Sequence, residues 1–451
     1  MRGAVSQGDA SRRAGGLLGY ERHSDYSYLE SGIFMAKESN VKQQYRDVLP
    51  ILLGGDTGVY GIARSFHEAF GVKSICVNRS PIDAIRYSSI FQVEHVSHDV
   101  TPEELIAVVN GVAAAHPQRR PVIMANHDTH SALIAAYRDR LDPRIAVPFP
   151  TSEAIARVTD KAHFTQVCEG LGIATPGTVV ADFAHGVPDV HVPFDFPVVA
   201  KAARGDAYDA VKFPGKRKIW FIHTLEELNT LWQTLDQAGF KDRFLVQELI
   251  PGDNTCMRSV TAYVDSHDQV TLIGSARVLL EDHAPTMIGN PVGMITMPLP
   301  DLWEDAVRIL TTTGYRGFAN FDIKIDPRTD RAVFFEVNPR IGRNNWYMTQ
   351  AGVNPMIPMV KDLLDGQCLK RQELENNVLY SLVPDRLLLH YLRDEDLKNY
   401  VTDLIKQGKR EDLMRYPADL GLHRRAVVLA QKLNHYRKFK RFYPEATDRS
   451  F

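Results

Sequence analysis

Two apolar strands with polar residues set in at alternate positions constrain this chain more than any other feature. Residues 317–326 read Gly-Phe-Ala-Asn-Phe-Asp-Ile-Lys-Ile-Asp, a polar turn follows, and 332–340 returns as Ala-Val-Phe-Phe-Glu-Val-Asn-Pro-Arg. Side chains alternate across a strand, so Asn320, Asp322 and Lys324 share one face, and Glu336, Asn338 and Arg340 share a face of the return. If a hairpin makes the two faces coincide, Asp322, Glu336 and Asn338 converge. Two carboxylates and a carboxamide are hard oxygen donors of the kind that hold Mg²⁺ while phosphates complete its shell, and an adjacent arginine suits a phosphate. A solvated outer face would not require Asn-Pro-Arg after Glu-Val.

Partners for such a site lie upstream. Lys161 opens a helix after Asp160, and Lys201 ends the apolar strand 196–200, where its charge must meet a ligand or a carboxylate. A phosphate satisfies both lysines. The small-residue stretch 202–209 is suited to covering phosphates with backbone N–H groups. The strand 244–250 then breaks at Pro251-Gly252-Asp253-Asn254, which offers backbone groups to an adenine edge and a polar side chain to a ribose.

The rest of the chain sets the frame. Strand, Gly-rich turn and helix over 48–70, with further strands at 74–77 and 121–125, predict a parallel, helix-covered sheet. The turn at 54–61 lacks the G-x-G-x-x-G spacing, and the second strand ends in Val77-Asn78-Arg79 without an acid, so an NAD site is disfavoured. His127-Asp128-Thr129-His130 lacks a third ligand for a metal and reads as a loop capping the next helix. Hairpins dominate from 151, and a polar, largely helical segment follows 365. Residues 1–45 are Gly/Ser-rich without periodicity and read as a tail, with Met35 as a second candidate start.

Composition narrows the class. Fifty-three basic against fifty-five acidic side chains leave a formal charge of −2, which disfavours a nucleic-acid-coating role. Cys76, Cys168, Cys256 and Cys368 lie too far apart for a zinc knuckle or a disulfide framework and read as buried free thiols. No apolar run reaches the roughly 20 residues of a membrane span, and no secretory leader pattern is visible, so the chain reads as cytoplasmic.

In order and in residues the chain resembles the ATP-grasp superfamily over roughly 151–365: lysine before a helix, lysine on a strand, covering loop, Gln-Glu-Leu-Ile-Pro-Gly hinge, then acid and Glu-Val-Asn-Pro-Arg. The resemblance implies an α/β (α+β) fold. A Rossmann-like parallel-sheet domain (46–150) precedes an ATP-grasp domain (151–365, lid subdomain about 175–245), and a mainly helical, basic carboxyl-terminal appendage (366–451) follows. It implies ATP phosphates on Lys161 and Lys201, and adenine on Gln247, Glu248 and the Leu249–Ile250 backbone. Ribose falls to Asp253 or Asn254, Mg²⁺ (or Mn²⁺) to Asp322, Glu336 and Asn338, and the transferred phosphoryl group or acyl phosphate to Arg340. Arg277 takes a further catalytic phosphate or substrate role, with Arg258 behind it. Arg204-Gly205-Asp206 and the run Lys212, Lys216, Arg217, Lys218 depart from the usual Gly/Ser lid.

Within the superfamily the chain looks most similar to carboxylate–amine ligases, including D-aspartate ligase-like enzymes of peptidoglycan synthesis. The implied partners are a small carboxylate, such as D-aspartate, and an amine, such as a cell-wall precursor; oligomeric state is left open. A regulatory ATP-binding protein and a carboxylase-type enzyme are the alternatives. The basic, aromatic-rich stretch 424–449 reads as a helix docked by its apolar face, with capture of an anionic acceptor as the sharper reading.

Overall fold

A computed structural model describes residues 41–203, 205–285 and 287–447, with the side chains of 205 and 206 excepted. Most of the expected tail, Met35 and Arg204 lie outside the described residues. Arg46–Phe451 forms one unit; of the other, Met1–Tyr45, only residues 41–45 are described.

The first sheet is parallel, in the order β3-β2-β1-β4: β1 (Val48–Leu53), β2 (Ser74–Val77), β3 (Phe91–Glu94) and β4 (Arg120–Ala125). All six residues of β1 are buried, as in a strand covered on both faces. The Gly-rich stretch expected as a turn is a turn only as far as Asp56, whose side chain accepts from the Gly58 and Val59 amides and starts the helix Thr57–Phe70. Gly58 and Gly61 lie inside that helix because another segment presses on it. A Cβ at Gly58 would stand 2.8 Å from the Arg343 carbonyl oxygen, and one at Gly61 would stand 2.9 Å from Asn345 Oδ1.

The second sheet, β5-β8-β6-β7, is built from β5 (Thr178–Asp182), β6 (Val198–Ala202), β7 (Trp220–Ile222) and β8 (Arg243–Glu248). Val198, Ala200, Phe244 and Val246 pack with Trp232 on one side of it. Alternation therefore turns Val199, Lys201, Leu245 and Gln247 to the other side. The loop expected after Lys201 is short, since Gly205–Ala210 is helical. Lys216 donates to the Tyr208 and Val211 carbonyls at 2.7 and 2.9 Å and so fastens this subdomain.

The third sheet runs β13-β12-β9-β10-β11-β15-β16, with β14 beside β10. Its strands are β9 (Met257–Val264), β10 (Val270–Glu281), β11 (Pro291–Thr296), β12 (Gly317–Asp326), β13 (Arg331–Asn338), β14 (Gln372–Glu373), β15 (Leu379–Ser381) and β16 (Arg410–Glu411). The carboxyl-terminal segment is therefore no appendage. It is mainly helical, yet β14, β15 and β16 join this sheet, and Leu388, Val401 and Phe439 share a core with Leu279 and Leu280. It also reaches the elements around the first sheet: Arg424, 1% exposed, pairs with Asp419 at 3.0 Å and donates to the Ala84 carbonyl. Asp419 in turn accepts from the Tyr60 and Ser88 hydroxyls.

All four cysteines are free; Cys76 and Cys168 are buried, whereas Cys256 is half-buried and Cys368 exposed, contrary to the expectation of four buried thiols.

Candidate active site

In the β12–β13 hairpin Asn320 stands opposite Asn338 and Asp322 opposite Glu336. A bulge follows, because Ile323 pairs with Phe334 and leaves Phe335 over. That extra residue lets Phe334 and Val337, three apart, both enter the core while Glu336 and Asn338 stay on the face of Asp322. Asn338 Nδ2 donates to Asp322 Oδ2 at 3.0 Å, and Arg340 Nη2 donates to Asn338 Oδ1 at 3.0 Å.

Both lysines arrive at this face. Asp160 ends one helix and caps the next through the His163 amide, which puts Lys161 at the first helical position. From there its Nζ reaches the carbonyl of the bulged Phe335 at 2.8 Å and Glu336 Oε2 at 3.0 Å. Lys201, on the inward side of β6, stands 3.7 Å from the same Glu336 oxygen.

The charges are unevenly matched. Lys161 first, and Lys201 after it, hold Glu336 well below the usual carboxylate range. Asp322 is pushed up to about 6, by burial and then by the Glu336 charge. Burial and the neighbouring Lys161 bring Lys201 down to about 8. Glu281, at the end of β10, rises to about 7 through burial and the charge of Asp322. A divalent cation would offset the surplus negative charge around Asp322, and Asp322, Glu336 and the Asn338 carboxamide are oxygen donors of the right class, so the residues present fit Mg²⁺.

Beyond Arg340 the face meets the first sheet. Arg340 Nε stands 3.1 Å from Asp128 Oδ1, so Asp128 belongs to the site and makes no helix cap. Arg343 Nε stands 2.7 Å from Asp56 Oδ2, and its Nη2 donates to Thr57 Oγ1 at 3.1 Å. His130, close to Asp56, is brought down to about 4, chiefly by burial.

The structure gathers Lys161, Lys201, Asp322, Glu336, Asn338 and Arg340, and the others stand apart. Gln247 is on the inward side of β8 and donates to Thr178 Oγ1, whereas Glu248 points the other way and pairs with Arg328 at 3.1 Å. Leu249 and Ile250 follow β8 into the connection to β9. Asp253 caps the turn Asn254–Cys256, and Asn254 is buried against His283. Lys324 holds that connection by donating to the Gly252 carbonyl at 2.7 Å. Arg277 does not join the site. It pairs with Arg258, which pairs with Ile323, so both arginines project from the opposite face of the sheet to Asp322, and Arg277 Nε bonds the Thr255 carbonyl.

Two contributors escaped sequence reasoning as members of the site, Asp128 and Glu281, while Lys218, part of the basic run noted after the covering loop, stands close enough for its charge to lower both Lys201 and Glu336. Glu281, a carboxylate ending a long apolar strand, carried the same signal as Lys201.

No protein-family model matches the chain. It is 29% identical over 408 residues to a D-aspartate ligase of Enterococcus faecium (strain Aus0004), across 88% of this chain and 97% of that one. The fold is similar to a biotin carboxylase from Campylobacter jejuni in complex with β,γ-ATP, with TM-score 0.54, 18% identity and coverage of 73% and 74%. It is also similar to an N5-carboxyaminoimidazole synthetase of Staphylococcus aureus complexed with ADP, with TM-score 0.53, 14% identity and coverage of 87% and 97%. The chain has the ATP-grasp fold and is a homologue of D-aspartate ligase.

Proposed function

We infer that this ATP-grasp chain is an ATP-dependent carboxylate–amine ligase, forming a C–N bond with ADP and phosphate as products. The observation that carries this is one carboxylate, Glu336, drawing two lysines from separate elements to the face where Asp322 and Asn338 already stand. Such an arrangement collects charge for phosphoryl transfer and needs no protein nucleophile.

The relative's name points to D-aspartate as the carboxylate substrate, and we propose the amine of a peptidoglycan precursor as the acceptor, in the cytoplasm where ATP is supplied. Asp322, Glu336 and Asn338 would hold Mg²⁺, or Mn²⁺ in its place, and the bound ion supplies charge neutralisation beside the phosphates. Lys161 and Lys201 bind the phosphate oxygens, and Arg340 holds the phosphoryl group in transit. A carboxylate oxygen attacks the γ-phosphorus and the bond to ADP breaks, giving an acyl phosphate. The amine nitrogen then attacks the acyl carbon, phosphate leaves with the C–O electron pair, and the amine proton passes to solvent. Arg343, joined to Asp56 at the first sheet, orients the second carboxylate of a dicarboxylic substrate.

ADP release measured with a panel of D- and L-amino acids, with and without hydroxylamine, tests this. The ligase reading expects hydroxamate from one dicarboxylic amino acid without any acceptor. ATP binding with no amino-acid-dependent ADP release favours a nucleotide-binding regulator instead.

A further inference from the structure

The helix Leu422–Phe442 has two unlike sides. One is docked: Arg424, Val428 and Phe439 are buried, Lys432 pairs with Asp412, and Lys438 pairs with Asp282. The opposite side carries Leu422, Leu429, Leu433 and Tyr436, which are 84, 58, 56 and 39% exposed. With Ala426 they recur at steps of four, three, four and three residues, which makes one continuous stripe on a helix. Tyr87, exposed and with its ring centroid 4.0 Å from that of His423 at a tilt of 52°, adds an aromatic ring beside its start.

Charge decides what covers this stripe. The helix contains no Asp or Glu, and Arg425, Arg437, Lys440 and Arg441 are all exposed along or beside the stripe. A second copy of the helix would set these cations against their own kind. An anionic lipid surface takes leucines into the headgroup–acyl boundary and basic residues at the phosphates together, and tyrosine suits the same depth. Among the described residues no helix is long and apolar enough to cross a membrane, so the helix would lie on the surface rather than span it. We propose that the face bearing Leu422, Leu429, Leu433 and Tyr436 docks the protein on an anionic lipid bilayer.

The test is sedimentation of the full chain with vesicles of phosphatidylcholine alone or mixed with phosphatidylglycerol, without nucleotide or substrate, so its outcome is separate from that of the ligase assay. Binding to the anionic vesicles alone, weakened by salt, is the expected result. Arg437→Gln with Lys440→Gln should lower partitioning about fivefold for each charge removed, and Leu429→Ser with Leu433→Ser should abolish it. Both double variants alter exposed positions and should keep the wild-type circular dichroism spectrum. Equal binding to neutral vesicles, or none, overturns the proposal. So does a concentration-dependent dimer that Leu429→Ser with Leu433→Ser makes monomeric, or retention by an acidic partner protein with no vesicle binding.

Discussion

Asp322 and Glu336 face each other across the hairpin, yet their carboxyl groups are held at opposite ends of the carboxylate range. Glu336 collects Lys161 at 3.0 Å and Lys201 at 3.7 Å, while Asp322 meets the Asn338 amide and bears the repulsion of its neighbour. The pair is poised for a cation to even out that difference.

Glu336→Gln should reduce ADP production by at least about a hundredfold, because it removes a metal ligand and releases both lysines. Circular dichroism should be unchanged, since Glu336 is not part of the apolar core. Near-wild-type turnover at saturating Mg²⁺ would remove the metal assignment.

Asp322→Asn should stabilise the metal-free protein at pH 7. The folded-state value near 6 lies above the ordinary 3.8, so the stability from this group is complete below about 3.8 and is lost as pH rises through about 6. The amide avoids that loss, for a gain of about 1 kcal/mol after allowance for solvent at the site. Thermal unfolding in EDTA should show the gain at pH 7 and none at pH 4, and Mg²⁺ should raise the Tm of wild type only.

Gly58→Ala should destabilise the chain by about 1–3 kcal/mol in urea unfolding, although alanine normally stabilises a helix interior by roughly 0.5–1 kcal/mol. The new methyl would meet the Asn126 side-chain amide first and the Arg343 backbone next, with the Arg343 oxygen at 2.8 Å and its Cα at 2.9 Å. A stabilised variant would mean that segment 342–346 yields freely.

Arg424→Met should cost about 3–5 kcal/mol by leaving Asp419 as an uncompensated buried charge. Loss of the carboxyl-terminal helix alone, with the rest unfolding as in wild type, would contradict its integration with the elements around the first sheet.

The hairpin was legible because polar residues at alternate positions in apolar strands have few explanations, and Lys161 and Lys201 because one follows a capping aspartate and the other ends a buried strand. Asp128 and Asp56 were not: a charged residue in a loop gains meaning only when the opposing loop is known. Gly58 and Gly61 read as a turn because glycine clusters usually are turns, whereas a close approach from nearly 300 residues away holds them in a helix. The β-bulge at Phe335 is set by core packing, and strands as short as β14 and β16 carry no periodicity. Arg277 was placed by order in the sequence, and register put it on the wrong face.

Lys201 supplies the clearest pH signature. Burial and Lys161 lower it to about 8, so it carries its charge below that value and loses it above. If that charge holds ATP phosphates, ATP affinity should fall as pH rises through about 8, by up to tenfold per unit. Lys201→Arg, charged throughout, should flatten the profile, while Lys201→Met should weaken ATP at pH 7 by roughly 10–100-fold and show no inflection. A lysine serving only as a structural partner of Glu336 behaves differently: the methionine variant would lose thermal stability and keep wild-type affinity for ATP. Isothermal titration of ATP from pH 6.5 to 9.5 on the three proteins distinguishes the two, since only phosphate binding moves the inflection with the residue at 201.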